Sequence, residues 1–196
     1  MHYFKLPIDE TYSLVKLELM HAGEVYDVIN RERAHLNAFL DWVPHINSVE
    51  DELRFLKKMM TLEIENKVRV YAIYEKNQLI GTVDIHNIDT QNHTGEIGYW
   101  LSQHVTGQGV MTKAVRLLCD LAFNDLLLNR LEIRAQKENK ASQRVAEKGG
   151  FRFIGEAREE VYRQGDYVTM YHYELLKRDF KPLKLWTFYV NYVIYS

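Results

Sequence analysis

Apolar and polar residues along this chain follow two periods, which divide it into predicted strands and helices. An alternation of period two, as in Val68, Val70, Ala72 and Tyr74, places apolar side chains on one face of a strand. Such alternation, together with a short buried-type run at 131–135, predicts strands at 12–19, 68–76, 79–87, 94–102, 131–135, 151–158 and 167–176. Turns at Asn77-Gln78 and at 164–166 separate two pairs of these strands.

The remaining segments repeat their apolar residues at helical spacing. They predict helical regions at 23–40, 49–63, 110–127 and 139–148. Ser48 is a predicted N-cap, and Glu50, Asp51 and Glu52 suit the positive end of the helix that follows it. Gly149-Gly150 stands where a left-handed C-cap is expected.

The order of these elements predicts an α+β fold. The strands over 68–102 form an antiparallel meander and lead into a strand-helix-strand unit. We therefore expect a mixed, mostly antiparallel central sheet flanked by helices. A single domain is expected over 1–180. The segment 181–196 is an aromatic extension of unknown role, and we expect it to be covered by the core or by a second copy in a homodimer.

Composition narrows the functional classes. The chain has 196 residues, of which 46% are hydrophobic, enough for one well-packed core. Lys and Arg number 25 against 27 Asp and Glu, so no basic excess indicates a nucleic-acid partner. No apolar stretch has the length of a membrane span, and the N-terminus lacks the apolar centre of a signal peptide. Cys119 is the single cysteine and the histidines are scattered, so we expect a cytoplasmic setting and no metal.

The most informative motif is Gly107-Gln108-Gly109, which comes directly before a predicted helix. Glycine lets a backbone approach a ligand closely, and the free N–H groups of a first helical turn attract anions. Taken alone, the motif is better explained as a turn that needs glycine. The strand upstream carries Gly98 in its interior, which is typical of close approach by another backbone or a ligand.

Three segments in order, EIGYWL at 96–101, GQGVMTKA at 107–114 and NKASQRVAEKGGF at 139–151, resemble the GNAT (general N-acetyltransferase) superfamily. The resemblance is closest to its RimJ/RimL-type branch of ribosomal-protein N-terminal acetyltransferases and covers roughly 12–179. It implies a GNAT-type sheet and an acetyl-CoA-dependent N-acetyltransferase. The implied acceptor is the N-terminal α-amino group of a protein, such as a ribosomal protein.

The resemblance also implies which residues bind the co-substrate. Backbone N–H groups would hold the pyrophosphate of acetyl-CoA, and the strand that ends at Trp100 and Leu101 would splay and bond the pantetheine arm. Asn139 would meet the pantetheine or the acetyl end. The residues of the pyrophosphate site are Gly107, Gln108, Gly109, Val110, Met111 and Thr112. The superfamily pattern Q/R-x-x-G-x-G/A is met at Gly109, whereas Thr106 and Met111 depart from it.

Amine acetylation needs a group that removes a proton and a group that assists the leaving thiolate. Ser142 matches the serine placed near the coenzyme A sulfur in this branch, although it could merely stabilise a first helical turn. Glu96 is the candidate base, because alternation puts it on one face with Gly98 and Trp100. Glu96 could equally be a solvated carboxylate at the edge of the sheet. Asp84 and His86 are further candidate bases. Cys119 is interpreted as a packing residue rather than a nucleophile.

Two other functions stay open at this stage. The same chemistry could act on a small amine, such as a polyamine, an amino acid derivative or an antibiotic, or the domain could bind acyl-CoA without turnover. An α-amino group has a pKa of roughly 7.7–8.0, against about 10.4 for lysine. The lack of an unambiguous strong base therefore favours the α-amine weakly. The acidic residues at 50–52 could line an acceptor cleft, but a helix-start role is the stronger interpretation.

Overall fold

A computed structural model describes residues 5–182 of the chain. Its centre is an eight-stranded sheet in the order β1-β2-β3-β4-β5-β6-β8-β7. The strands are β1 Lys5–Pro7, β2 Tyr12–Lys16, β3 Arg69–Glu75, β4 Gln78–Asp89, β5 Thr94–Leu101, β6 Arg130–Gln136, β7 Arg152–Arg163 and β8 Asp166–Leu176. The helices are α1 Ala22–Arg31, α2 Arg33–Leu36, α3 Val49–Ile64, α4 Val110–Asn124 and α5 Lys140–Gly149.

All neighbouring strands are antiparallel except β5 and β6, which run parallel on either side of the α4 crossover. Helices α4 and α5 pack on one face of the sheet and form the larger apolar core with it. Helices α1, α2 and α3 pack on the other face around a second core that includes Trp100. The predicted fold class, a mixed and mostly antiparallel sheet flanked by helices, is confirmed.

The local capping signals are confirmed where they were strongest. Ser48 Oγ accepts a hydrogen bond from the Asp51 backbone N–H at 3.2 Å and starts α3. Gly150 has a φ of 97°, the left-handed conformation that ends α5. Gln164 and Gly165 both have positive φ in the two-residue turn between β7 and β8.

Several predicted boundaries were wrong. The helical region at 23–40 breaks after α1, and only one short turn, α2, continues it. The Arg33 guanidinium donates to the carbonyls of Val43 and Ile46, at 2.8 and 2.7 Å, and so holds the irregular segment that follows α2. Helix α4 ends at Asn124 rather than 127, where Leu127 adopts a positive φ.

The sheet also has parts that the sequence pattern did not predict. The short edge strand β1 pairs with β2, which ends at Lys16 before a 3-10 turn over Leu19–His21. Strand β7 runs on to Arg163, five residues past its predicted end, through an irregular pairing between Ala157 and Val161. The extension at 181–196 lies outside the described residues except for its first two. The division into a domain at 1–180 and an extension stays a prediction.

Candidate active site

The glycine-rich turn has the conformation that an anion site requires. Gly107 and Gly109 have φ values of 78° and 81°, and Gly109 is the residue directly before α4. A Cβ added at either glycine would meet nothing within 4 Å, so positive φ and not crowding makes glycine the favoured residue there. No side chain caps α4. Its first N–H groups, which have no partner inside the helix, therefore remain available to a ligand.

The two departures from the superfamily pattern leave this turn intact. Thr106 uses its hydroxyl to donate to the Gln103 carbonyl at 2.8 Å, one residue before the turn. Met111 is buried and packs in the core beneath α4. The side chains of Thr106 and Met111 therefore contact other parts of the protein, and neither blocks the backbone N–H groups of the turn.

The splayed strand pair predicted at this site is present. Strands β5 and β6 pair only between Thr94–Glu96 and 130–132, after which the register ends. The rest of β5, including Trp100 and Leu101, is paired with β4 on its other side only. The Trp100 side chain packs in the second core, so contact between this residue and pantetheine would be made by its backbone.

Ser142 lies in the first turn of α5, where two contacts fix it. Its backbone N–H donates to the Asn139 side-chain oxygen at 3.0 Å, which makes Asn139 the N-cap of the helix. Its Oγ lies 2.8 Å from the Tyr99 hydroxyl. Burial raises the pKa of Tyr99, although the hydrogen bond with Ser142 acts in the opposite direction. Tyr99 therefore stays neutral, and its contact with Ser142 is one that sequence reasoning missed.

Glu96 lies on the opposite face of β5 from Tyr99, within a group of charged side chains. The Arg134 Nε donates to Glu96 Oε1 at 2.7 Å, and His86 Nε2 lies 3.4 Å from the same oxygen. The other ring nitrogen of His86 lies 2.6 Å from Asp84 Oδ1. The three base candidates, Glu96, His86 and Asp84, are thus in one hydrogen-bonded chain. A side chain at Gly98 would collide with Asp84, so this glycine makes room for neighbouring side chains rather than for a ligand.

These contacts set the charges of the group. Burial alone would raise the pKa of Glu96, but hydrogen bonds from His86 and Arg134 outweigh it and lower the pKa to about 2. Burial likewise opposes protonation of His86, yet its hydrogen bonds to Asp84 and Glu96 raise its pKa to about 9. At neutral pH the pair is therefore a carboxylate beside an imidazolium, and neither is a strong base.

A second carboxylate adjoins the group from β7. Glu160 Oε1 lies 3.3 Å from Arg134 Nη1, and its other oxygen lies 2.6 Å from His172 Nε2. Sequence reasoning missed Glu160 because it lies beyond the predicted end of the strand, within the irregular stretch where Glu159 has a positive φ. It missed Arg134 because only the pairing of β5 with β6 brings that side chain to Glu96.

Other candidate residues have structural surroundings. Cys119 is fully buried inside α4, and burial raises the pKa of its thiol, as a packing role requires. Asp51 is occupied at the start of α3 by Asn47, Ser48 and Arg54. Glu52 points inward, and burial raises its pKa to about 7. The helix-start interpretation therefore fits Asp51 well.

The described residues fit acetyl-CoA as a co-substrate at two places. The open glycine turn before α4 offers backbone N–H groups for a pyrophosphate, and the unpaired edge of β5 offers hydrogen bonds for an extended arm. Among residues 5–182, no helix is both long and apolar enough to cross a bilayer. Within that same range, no cluster of three or more His, Cys, Asp or Glu is arranged to hold a metal ion.

Comparison with known proteins agrees with this geometry. The model of the acetyltransferase (GNAT) domain matches residues 13–152, so the chain belongs to the GNAT acetyltransferase family. The ribosomal-protein-serine acetyltransferase of Escherichia coli (strain K12) is 27% identical over 146 residues, which are 74% of this chain and 82% of that protein.

Two further similarities extend the comparison. YdaF of Bacillus subtilis (strain 168), provisionally named a ribosomal N-acetyltransferase, is 37% identical over 119 residues, 61% of this chain and 64% of that protein. The chain thus spans just under two thirds of that relative. The structure of RimL, a ribosomal L7/L12 alpha-N-protein acetyltransferase in complex with coenzyme A, superposes with a TM-score of 0.85. The superposition covers 88% of this chain and 98% of the RimL chain. At 24% sequence identity, it shows that the two proteins have a similar fold.

Proposed function

We propose that this enzyme transfers the acetyl group of acetyl-CoA to the N-terminal α-amino group of a protein, and that the acceptor is a ribosomal protein. The observation that carries the proposal is the pair of contacts that Glu96 makes with Arg134 and His86, which keep its carboxylate charged at neutral pH. The name of the E. coli relative, which the chain matches over 82% of that protein's length, supports the ribosomal acceptor.

The weak bases of the site favour an acceptor that is already partly neutral. Near pH 7.5 about a third of α-amino groups are neutral, whereas only around one lysine side chain in a thousand is. A carboxylate with a pKa of about 2 and an imidazolium with a pKa of about 9 cannot deprotonate a lysine-type ammonium efficiently. The neutral third of the α-amino groups needs no such step before it attacks.

Acetyl-CoA supplies the activated acyl group, and the chain supplies position and protons. Glu96 attracts the amine and orients it toward the opening between β5 and β6. The amine nitrogen becomes acidic as it bonds to the acyl carbon, so Glu96 can accept its proton through a water molecule despite its low pKa. Arg134 and His86 keep the carboxylate ionised until it accepts this proton, and they favour its return to solvent afterwards.

Ser142 and Tyr99 serve the other side of the transfer. Ser142 Oγ donates a hydrogen bond to the departing thiolate, which then takes its proton from solvent, and the neutral Tyr99 hydroxyl at 2.8 Å orients Ser142 Oγ. Asn139 fixes the turn that carries Ser142 and leaves its amide nitrogen for the pantetheine arm. The backbone at 107–112 holds the pyrophosphate, and transfer takes place directly in a ternary complex.

The test is release of free thiol from acetyl-CoA, followed with a thiol-reactive dye, over a panel of acceptors. The panel contains peptides with a free N-terminus, the same peptides with a blocked N-terminus and an internal lysine, polyamines and aminoglycosides. We expect release with the free peptides alone, and most with the N-terminal sequences of ribosomal proteins. Ser142→Ala is the control, since it should bind coenzyme A without comparable turnover.

The other outcomes overturn the proposal in distinct ways. Release with a polyamine or an aminoglycoside alone would identify the acceptor as a small amine. Binding of acetyl-CoA by calorimetry without release to any acceptor would favour an acyl-CoA-binding module. Failure to bind acetyl-CoA would contradict the site assigned to 107–112.

A further inference from the structure

A short segment crosses the opening between the two diverging strands. Residues 35–42, the crossing segment, begin within α2 and continue past its end at Leu36. At one end His35 Nε2 lies 3.3 Å from the carbonyl of Leu101, the last residue of β5. Further along, the Gln136 side chain at the end of β6 donates to the Phe39 carbonyl at 3.3 Å. The crossing segment therefore joins the tips of both strands.

One buried guanidinium ties this segment to the β7–β8 hairpin. Arg163, the last residue of β7, has a side chain that is only 9% exposed. Its Nη1 donates to the Ala38 carbonyl at 2.7 Å, its Nη2 donates to the Asn37 carbonyl, and its Nε donates to the Asp41 carboxylate. Three separate donors of a single side chain thus hold three residues of the crossing segment, Asn37, Ala38 and Asp41.

The segment presents aromatic surface beside the catalytic face. Phe39 and Trp42 are 37% and 36% exposed, which is high for side chains of this size. The Trp42 ring lies 6.5 Å from the ring of Trp100, which shares a face of β5 with Glu96. We expect an acceptor peptide that brings its N-terminal amine to Glu96 to pass the rings of Phe39 and Trp42.

From these contacts we infer that Arg163 is a positioning residue for the acceptor. It fixes the crossing segment at a set distance from β5 and β6, so that Phe39 and Trp42 receive the first residues of the acceptor chain. The inference rests on the proposed function for the kind of acceptor. The contacts of Arg163 do not reach the turn at 107–112, which is assigned to the pyrophosphate of the co-substrate.

Steady-state kinetics of two Arg163 variants test the inference. Arg163→Ala should raise the KM for the acceptor at least about tenfold, because the crossing segment loses three charged donors. Arg163→Lys keeps the charge but has one donor group and should recover only part of that loss. The kcat at saturating acceptor, the KM for acetyl-CoA and the Kd for coenzyme A should stay within about twofold of wild type.

Arg152→Ala is the matched control. Arg152 lies at the other end of β7, is 77% exposed and pairs with Glu174, far along the strand from the crossing segment. It should leave the acceptor KM unchanged. If Arg163→Ala does not fold, Asp41→Asn and Gln136→Leu each remove one contact of the same segment and should raise the acceptor KM several-fold.

Three results would overturn the inference. One is an unchanged acceptor KM in variants that still bind coenzyme A normally. Another is an equal loss of acceptor and coenzyme A binding, which a purely structural role predicts. The last is a wild-type protein that shows no turnover with any acceptor, which would overturn the proposed function as well. If only a small amine is acetylated, the proposed function fails, and the same kinetics with that amine still decide the role of Arg163.

Discussion

Tyr99 on β5 and Ser142 on α5 share a hydrogen bond of 2.8 Å between their hydroxyl oxygens. The bond joins the two sides of the opening between β5 and β6, because α5 follows β6 in the chain. The hydroxyl proposed to assist thiolate departure is thus not an isolated donor. Its protonation and orientation depend on a tyrosine that burial keeps neutral.

Tyr99→Phe should lower kcat by about tenfold and Ser142→Ala by about a hundredfold, measured as the initial rate of coenzyme A release. Each KM for acetyl-CoA should stay within about twofold of wild type. The double variant should be no slower than Ser142→Ala alone, because the two residues act as one unit. If the losses multiply in the double variant, the two residues have independent roles, and their proposed action as one unit is contradicted.

Arg134→Gln should shift the pH dependence of kcat/KM for the acceptor. In the wild type, the carboxylate of Glu96 stays ionised down to a pH of about 2. Without the guanidinium, its pKa should rise toward its ordinary value of 4.5, and the acidic limb of the profile should rise with it. The profile is measured from pH 4 to 8, with Arg152→Gln as the matched control on β7. An acidic limb at the same pH in both variants would contradict this coupling.

His86→Gln should change stability in a pH-dependent way. The folded-state pKa of His86 is raised from 6.5 to about 9, so its contribution is fully present below pH 6.5 and is lost as pH rises through 9. Because the side chain is partly exposed, we expect a loss of roughly 1–2 kcal/mol at pH 6, and almost none at pH 10. Urea unfolding of the wild type and the variant at pH 6 and pH 10 measures this loss of stability. An equal loss at the two pH values would contradict the expected dependence on the protonation of His86.

Gly109→Ala should weaken coenzyme A binding while the chain still folds. The added methyl meets no atom, but a φ of 81° strains any L-residue, by about 1–2 kcal/mol. Relief of that strain would turn the N–H groups of 107–112 away from a common point. Gly23→Ala is the matched control, since it also meets open space but lies within α1, where alanine should stabilise the helix. Calorimetric Kd values that are equal for the two variants would refute the role of the turn.

Cys119→Ala should retain the wild-type kcat, because the thiol is fully buried and its pKa is raised by that burial. The native enzyme should also resist a thiol-reactive dye until it is unfolded. Rapid modification of Cys119 in the native protein, with matching loss of activity, would contradict the packing role.

The sequence was most informative where structure depends on a few consecutive residues. The cap at Ser48, the left-handed stop at Gly150 and the glycine turn before α4 could each be predicted, because local hydrogen bonding and backbone φ decide them. Most strands and their antiparallel meander could be predicted from the alternation of apolar and polar side chains. The resemblance to the GNAT superfamily then supplied the architecture as a whole.

What could not be predicted depends on residues that are distant in the chain. The Arg134 contact with Glu96 needs the register of a parallel strand pair, which no local pattern encodes. Glu160 needs an irregularity in β7 that has no sequence signature. The Arg163 contacts join residues more than a hundred positions apart, and the break after α1 depends on them and on Arg33. Strand β1 is three residues long and includes Pro7, too short for any period to register.

Among the described strands, only three residue pairs join β5 to β6, all at the start of both strands. A molecule bound in the opening between β5 and β6 should stabilise the folded state, as an additional strand paired there would. The stability of the enzyme should then follow the supply of acetyl-CoA, by about 2.7 kcal/mol at a hundredfold excess over Kd. A cell short of acetyl groups would lose acetylation twice, through an unsaturated site and through a more readily unfolded enzyme.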